Sequence, residues 1–166
     1  MKGVMISIQP KWCELIASGK KTVEVRKTKP KLETPFKCYI YETKGKLRWC
    51  NKCQDTCERP YPNCACFEGQ GKVIGEFVCD RITEYECSSD GHGQLATTCG
   101  TCLTYDEIIN YCNGNELYGW HISDLVIYDK PRELRGFTGL RKTKFGYEPI
   151  KLTRPPQSWC YVEVVE

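Results

Sequence analysis

Short runs of β-branched and aromatic residues, separated by turn residues, recur along this chain and restrict its fold more than any other feature. Residues 4–8, 36–43, 73–82, 118–128 and 158–165 have this composition and the length of strands. Residues 22–26 alternate charged and apolar side chains, as a strand with one polar face does. Strand segments outnumber helical ones and the sequence closes on one, which favours an α+β fold built on an antiparallel or mixed β-barrel.

Two short helices are predicted beside these strands. Residues 10–18 begin with Pro10, which is well tolerated in the first turn, and are followed by Gly19, a common helix stop. Residues 104–111 begin with Thr104 and carry Glu107 three positions later, the pattern of a capping box. We therefore expect a few short helices packed at the side of the barrel.

Two cysteine-rich stretches, residues 45–71 and 87–102, match neither a helix nor a strand. Loops of this length are uncommon in a compact domain unless something organises them. The 166 residues of the chain suffice for one hydrophobic core and are too few for two comfortable ones. We predict a single domain over residues 1–166, with cysteine-rich insertions at about 45–71 and 87–102.

The start of the chain bears on its cellular location. Lys2, Lys11 and Glu14 interrupt the first apolar residues, so no signal peptide is predicted. No window approaches the roughly 20 apolar residues that a membrane-spanning helix requires. We expect a cytoplasmic protein without a membrane partner.

Basic side chains are concentrated in two segments. Between Lys20 and Lys37 seven lysines and arginines face two acidic residues, and between Lys130 and Arg154 eight face two. Between Glu76 and Asp129 ten acidic residues face a single arginine. If the fold brings the basic segments together, they form a stripe that attracts phosphates, because binding phosphates releases condensed counterions. Otherwise each segment is an ordinary solvated surface.

Thirteen cysteines in a chain without a secretory signal indicate thiolate or metal chemistry rather than a disulfide framework. Five lie inside predicted helices or strands, where thiols act as small core residues: Cys13, Cys38, Cys79, Cys112 and Cys160. Eight fall in or beside the two insertions: Cys50, Cys53, Cys57, Cys64, Cys66, Cys87, Cys99 and Cys102.

The eight insertion cysteines predict one or two structural zinc ions. Cys50 with Cys53, and Cys99 with Cys102, have the spacing with which two thiolates grip one tetrahedral Zn²⁺. Zinc would also order the insertions, because metal binding contributes to folding. His92 is a further candidate ligand, whereas His121 lies in an apolar strand and is expected to be a hydrogen-bonded structural residue. Free thiols on a flexible insertion are the alternative. Four thiolates could also hold an iron–sulfur cluster, but the chain has no ferredoxin-like run of cysteines.

Lys21, Glu24 and Arg26 form the most distinctive chemical group. Glu24 and Arg26 share a strand face, and the head of Lys21 must fold around the start of the strand to join them. Such a trio can bind phosphate through Lys21 and Arg26 while Glu24 accepts from a base or ribose. It can also serve a hydrolase, with Glu24 as base and Lys21 as acid or oxyanion support. A salt-bridged face that only closes the fold is the third interpretation.

Aromatic residues near the trio leave two interpretations open. Trp12, beside Lys11, and also Tyr41 and Trp120 can stack nucleic-acid bases. Each can equally be a core residue, since aromatic side chains fill the interior of small barrels.

Five ordered stretches carry a resemblance to a known family. Residues 19–26 match a GxKxxExR signature, and residues 7–12, 71–82, 117–134 and 154–163 are similar to further pieces of the same proteins. The chain therefore resembles the ASCH domain family of the PUA-like superfamily, in the form found in bacteria and their phages. The likeness covers both ends and leaves out chiefly the two insertions.

The resemblance implies a PUA-like β-barrel with a charged cleft lined by the signature, and RNA or a nucleotide as partner. Together with the residue-level arguments above, the ligand-binding candidates are Lys11, Trp12, Lys21, Glu24, Arg26, Tyr41 and Trp120. Some relatives are hydrolases: one branch resembles amidohydrolases that deacetylate modified cytidine, and another has been described as ribonucleases. Lys21 stands at the catalytic lysine of the amidohydrolase branch, but Glu24 replaces its threonine. A zinc-organised interaction domain with a vestigial cleft is the remaining alternative.

Overall fold

The computed structural model describes residues 1–44, 49–50, 55–56, 69–85 and 99–165. Its elements, in chain order, are β1 (Lys2–Ile8), α1 (Pro10–Ala17), β2 (Val23–Arg26), β3 (Phe36–Glu42), β4 (Trp49–Cys50), β5 (Asp55–Thr56), β6 (Val73–Tyr85), α2 (Tyr105–Cys112), β7 (Leu117–Arg132), a 3₁₀ turn (Leu134–Gly136), β8 (Thr138–Thr143), β9 (Gly146–Lys151) and β10 (Trp159–Glu163). The α+β class and the strands and helices predicted from residue patterns are confirmed.

Within the described residues, eight strands form one mixed sheet in the order β2-β7-β6-β3-β1-β10-β8-β9. The pairing of β1 with β3 is parallel, and the other pairings in this sheet are antiparallel. The short strands β4 and β5 pair separately. Gly75 lies where the register of β6 with β7 shifts. A Cβ atom at this position would lie 2.5 Å from the carbonyl oxygen of Val126.

The prediction of a closed barrel is wrong, because the described sheet is open between β2 and β9. Closure would require these two strands to pair. Strand β2 has only four residues and pairs with β7, while β9 pairs with β8 as the outer arm of a largely exposed hairpin. An outer arm that faces solvent on both sides has no apolar face that would drive it across the opening.

The core has three parts. Side chains of β1 and β3 alternate between the two sheet faces, so that Val4 and Ile6 pack with α1 while Met5 and Tyr39 pack on the opposite side. A smaller cluster joins α2 to β2 and β7. Strand β2 is consequently buried on both faces, including the polar face that carries its charged residues. The signature strand is therefore an edge strand of the sheet that packs against α2.

The five cysteines predicted in the core are buried or half-buried. Cys13, Cys38 and Cys79 are buried free thiols, and Cys160 is a half-buried one. Burial raises the pKa of Cys160 to about 11 and that of Cys79 to about 12. Cys112 is buried as predicted but is disulfide-bonded rather than a free thiol. No described helix is long and apolar enough to cross a membrane.

Candidate functional site

Lys21 is the innermost charge of the signature and is only 2% exposed. Its Nζ donates to the carbonyl oxygen of Val23 at 2.9 Å and to that of Thr101 at 2.6 Å, and it lies 3.3 Å from Oε2 of Glu24. The side chain thus folds back around the start of β2, as its position one residue out of phase with the strand had predicted. Three oxygen atoms fix the ammonium group in place.

Glu24 lies between two cations. Oε1 accepts from Nη2 of Arg26 at 2.8 Å, while Oε2 faces Lys21. Arg26 also donates from Nη2 to the carbonyl oxygen of Ser7 at 2.7 Å and from Nη1 to Oγ of Ser158 at 3.4 Å. Its Nε is buried and has no hydrogen-bond partner within the described residues. The trio predicted from the signature is therefore assembled, with one unused donor.

A turn that sequence reasoning did not connect with the site holds Lys21 in place. Gly100, with φ of +80°, directs its carbonyl oxygen to the backbone N–H groups of Thr22 and Val23, at 2.8 and 2.9 Å. The next carbonyl, that of Thr101, accepts from Lys21. The turn thereby docks against the start of β2 through three hydrogen bonds. The glycine in Cys99-Gly100-Thr101-Cys102 was the only sequence signal that could have indicated it.

The trio lines a cavity of about 320 Å³. Besides the three charged residues, its lining consists of Ser7, Gln9, Trp12, Val25, Thr43, Leu103, Tyr111 and Gln157. Ligand pockets typically combine apolar or aromatic walls with a few convergent polar groups. The amides and hydroxyls contributed by residues outside the signature strand were not predicted, because they come from segments far apart in the sequence.

Not all of the predicted ligand-binding residues reach the cavity. Trp12 lines it, with the ring centroid 5.1 Å from Nζ of Lys21 and 4.4 Å from that of Lys11. Lys11 is exposed and lies 3.9 Å from Glu107. Tyr41 is buried in the core cluster that contains Met5 and Tyr39. Trp120 is fully buried among the core residues packed against α1. Tyr41 and Trp120 are therefore core residues, which was the alternative to base stacking given above.

Tyr111, on α2, contributes an aromatic wall that the sequence did not single out. Burial raises the pKa of its phenol and the nearby Glu24 adds to this, whereas Arg26 opposes it. Tyr111 therefore lines the cavity as a neutral hydroxyl at physiological pH. With Trp12 on α1, it places two rings at the cavity, which suits a flat aromatic ligand.

Two of the predicted metal ligands fall in the described part of the chain. Cys99 and Cys102 are exposed free thiols, and Sγ of Cys102 lies 3.3 Å from the carbonyl oxygen of Lys20. Outside the described residues lie Cys53, Cys57, Cys64, Cys66, Cys87, His92 and the side chain of Cys50. Among the side chains that the structure describes, no group of three or more His, Cys, Asp or Glu residues is placed to hold a metal ion.

His121 is the hydrogen-bonded structural residue that was predicted. Arg81 lies 3.2 Å from Nδ1, which must accept, and Oγ1 of Thr83 lies 2.8 Å from Nε2. Burial lowers the pKa of the imidazole and Arg81 lowers it further, while Asp80 opposes them. The residue belongs to the sheet and does not line the cavity.

Comparison with known proteins agrees with this fold. A model of the ASCH domain matches residues 6–156, which is most of the chain and includes the whole signature. The chain belongs to the ASCH domain family. ASCH domains have a PUA-like fold that is generally linked to RNA binding. A search of curated proteins found no match.

Solved ASCH structures show the same architecture. The crystal structure of ASCH from Zymomonas mobilis is 21% identical, covers 97% of this chain and 87% of its own, and superposes with a TM-score of 0.55. A mutant ZmASCH protein from the same organism is also 21% identical, over 98% of this chain and 91% of its own, with a TM-score of 0.55. At this identity the likeness concerns the fold.

Proposed function

We propose that this ASCH domain binds RNA, or a nucleotide, with one nucleotide held in the cavity on the signature strand. The observation that carries the proposal is the charge of the buried trio. Two cations and one carboxylate leave a net positive charge in a site shielded from water, and burying an uncompensated charge is costly. An anionic ligand removes that imbalance.

The unused donor of Arg26 supports the same conclusion. Buried polar groups in folded proteins nearly always have a hydrogen-bond partner, and Arg26 lines the cavity, so a small movement of its guanidinium would let a ligand satisfy the unpaired Nε–H. Guanidinium groups bind phosphate oxygens through directed, charge-assisted bonds. Trp12 and Tyr111 supply rings against which a base can pack. The cavity volume lies at the lower end of the usual range for ligand pockets, which suits a single nucleotide.

Titration calorimetry with the four ribonucleoside monophosphates and with a short RNA tests this proposal. Arg26→Gln should weaken binding of both by about tenfold or more, since a charge-assisted bond is worth about 1.5–3 kcal/mol. Affinity for RNA should also fall steeply as salt rises. Gln157→Glu provides a second variant that is less exposed to misfolding, because Gln157 lines the cavity from a solvent-exposed position. Binding that neither variant affects would exclude this cavity as the site.

A hydrolase acting on a modified nucleoside or on RNA is the second candidate. The proximity of Lys21 Nζ to Glu24 Oε2, 3.3 Å inside the cavity, favours it, because an ammonium and a carboxylate at one site can serve as acid and base. Turnover of an acetylated nucleoside, or cleavage of RNA, that is lost in Glu24→Gln would establish an amidohydrolase or a ribonuclease. Tight binding without turnover would leave the domain a binding module.

We further propose that Cys99 and Cys102 donate thiolates to a structural zinc ion completed by other insertion cysteines. Both thiols are exposed, and the turn between them is held by hydrogen bonds to β2. Thiolate pairs at this spacing are common in closed structural zinc sites. Zinc would tether the insertion next to Lys21 without taking part in chemistry. A cytoplasmic location, where most thiols stay reduced, is part of the same proposal, with the disulfide of Cys112 as an exception.

A further inference from the structure

Three half-buried aromatic side chains follow one another along a face of the sheet, and we name them the aromatic row: Trp159, Tyr161 and Tyr147. The ring centroids of Trp159 and Tyr161 lie 5.3 Å apart, as do those of Tyr161 and Tyr147. Trp159 and Tyr161 are alternate residues of β10 and share one face. Tyr147 belongs to the β8–β9 hairpin, so the row crosses from one part of the sheet to another.

The row does not line the cavity itself, but it follows residues that reach the cavity. Gln157 lines the cavity, and the next residue, Ser158, accepts a hydrogen bond from Arg26 at 3.4 Å. Trp159 follows directly in the chain. A polymer with one unit in the cavity would therefore meet the row with its neighbouring units.

The first basic segment borders the row on one side. Nε1 of Trp159 donates to Oγ1 of Thr28 at 2.9 Å, and the backbone N–H of Lys31 donates to the hydroxyl of Tyr161 at 2.8 Å. The exposed side chain of Lys31 belongs to this border, while Nζ of the exposed Lys27 lies 5.1 Å from the ring centroid of Tyr111 at the cavity. The hydrogen bonds also fix the two rings, so that a ligand pays little conformational entropy when it packs against them.

The second basic segment borders the row on the other side. Lys142 is directly opposite Tyr147 in the hairpin, and alternation places Lys151 on the same face. Glu148 is paired with Arg141 on the opposite face. Nζ of Lys2 lies 3.7 Å from the ring centroid of Tyr147. The fold thus brings the two basic segments together, with aromatic rings between them.

From this juxtaposition we propose that the aromatic row and its flanking lysines bind the single-stranded RNA that continues from the nucleotide in the cavity. The inference rests on the proposed function and deepens it, since it makes the ligand an RNA strand rather than a free nucleotide. Aromatic rings stack bases of any sequence, and lysines beside them follow the phosphates. The strand is single, because a cavity for one nucleotide admits only an unpaired one.

The test compares a ten-nucleotide RNA of random sequence with the four ribonucleoside monophosphates, using the double variant Lys142→Glu and Lys151→Glu. Affinity for the RNA should fall at least about tenfold, and the log–log salt dependence should lose about 1.4 units of slope, because each phosphate contact with a single strand contributes about 0.7. Affinity for monophosphates should not change. The control reverses Lys130 and Arg135, exposed basic residues with the same total charge change, and should leave RNA affinity nearly unaltered.

The outcomes separate the two proposals. The proposal for the aromatic row is overturned if the RNA binds no more tightly than the monophosphates, or if the Lys142→Glu and Lys151→Glu variant binds RNA normally. Either result leaves the cavity as a nucleotide site. If neither the monophosphates nor the RNA bind, the proposed function is overturned, and this inference is overturned with it. Vesicles of phosphatidylcholine and phosphatidylserine serve as a competing anionic surface. RNA is overturned as the partner if the protein binds these vesicles as tightly as RNA and if the Lys142→Glu and Lys151→Glu variant weakens vesicle binding to the same extent.

Discussion

Lys21 shows how much of this site is fixed by the protein itself. Its ammonium group has left bulk water for two carbonyl oxygens and the carboxylate of Glu24. Buried ion pairs seldom add much net stability, but removing one partner is costly because the other groups stay buried. The arrangement holds Glu24 and Arg26 in position before any ligand arrives, which is the condition for directed recognition.

Lys21→Met should therefore lower the free energy of unfolding by about 3–5 kcal/mol, since it strips a charged partner from buried carbonyl and carboxylate oxygens. The matched control is Lys20→Met, at the exposed neighbouring position, which should stay within about 0.5 kcal/mol of the parent protein. Urea unfolding of the three proteins provides the measurement. Equal stability of the two variants would show that the Lys21 contacts contribute nothing to folding.

His121 predicts a loss of stability in mild acid. Its pKa in the folded protein lies below the ordinary value of 6.5, because of burial and Arg81. The unfolded chain then binds a proton more readily, so this contribution is complete above about pH 6.5 and is lost as pH falls through the folded pKa. His121→Gln should reduce the dependence of the unfolding midpoint on pH between about 7 and 5. An NMR titration that gives His121 an unshifted or raised pKa would contradict the account.

At the scale of elements, the turn at Gly100 joins the insertion to the signature strand. Gly100 has a positive φ, and a Cβ atom there would lie 2.2 Å from Oγ1 of Thr22. Gly114 also has a positive φ, but a Cβ atom there meets nothing within 4 Å. An alanine at Gly114 would therefore meet only the conformational cost of a positive φ, whereas an alanine at Gly100 would meet that cost and a steric clash.

Gly100→Ala should destabilise the protein by at least about 1 kcal/mol more than Gly114→Ala, because only the first adds a steric clash to a strained φ. It should also weaken nucleotide binding, since the turn carries the carbonyl groups that hold Thr22, Val23 and Lys21. Thermal unfolding and calorimetric titration provide the two readouts. Equal effects of the two substitutions would mean that the turn yields without disturbing β2.

The same turn contains Cys99 and Cys102, the two described cysteines of the proposed zinc site. The purified protein should hold one or two equivalents of zinc by elemental analysis, and replacement of Cys99 and Cys102 by Ser should lower that content. Cys160→Ala is the control, since Cys160 is a half-buried core thiol away from the turn, and it should leave the zinc content unchanged. Metal-free protein in which Cys99 and Cys102 react freely with Ellman's reagent would exclude the zinc site.

Elements with strong local signals were predictable. Helix α2 begins at its capping box, where Thr104 accepts from the N–H of Glu107 at 3.2 Å and Glu107 accepts from that of Thr104 at 2.8 Å. The β8–β9 hairpin was missed, because it is charged and mostly exposed and shows no alternation of apolar residues. Its position depends on pairing with β10, which local patterns do not reveal.

At the scale of the whole molecule, the sequence was sufficient for the family, the α+β class and the trio. It did not reveal that the sheet is open, since closure depends on which edge strands meet and not on their composition. It also missed Gly100, Thr101 and Gln157, whose roles come from backbone groups or from contacts between distant segments. Signature residues were predictable because neighbours along one strand must lie together.

A crystal structure of the protein grown with ribonucleoside monophosphates tests the central claim most directly. The account predicts a nucleotide in the cavity, with an acceptor within hydrogen-bond distance of the Arg26 guanidinium and a base packed against Trp12 or Tyr111. A cavity that stays empty at saturating ligand, or that is filled by side chains of the protein's own insertions, would contradict it.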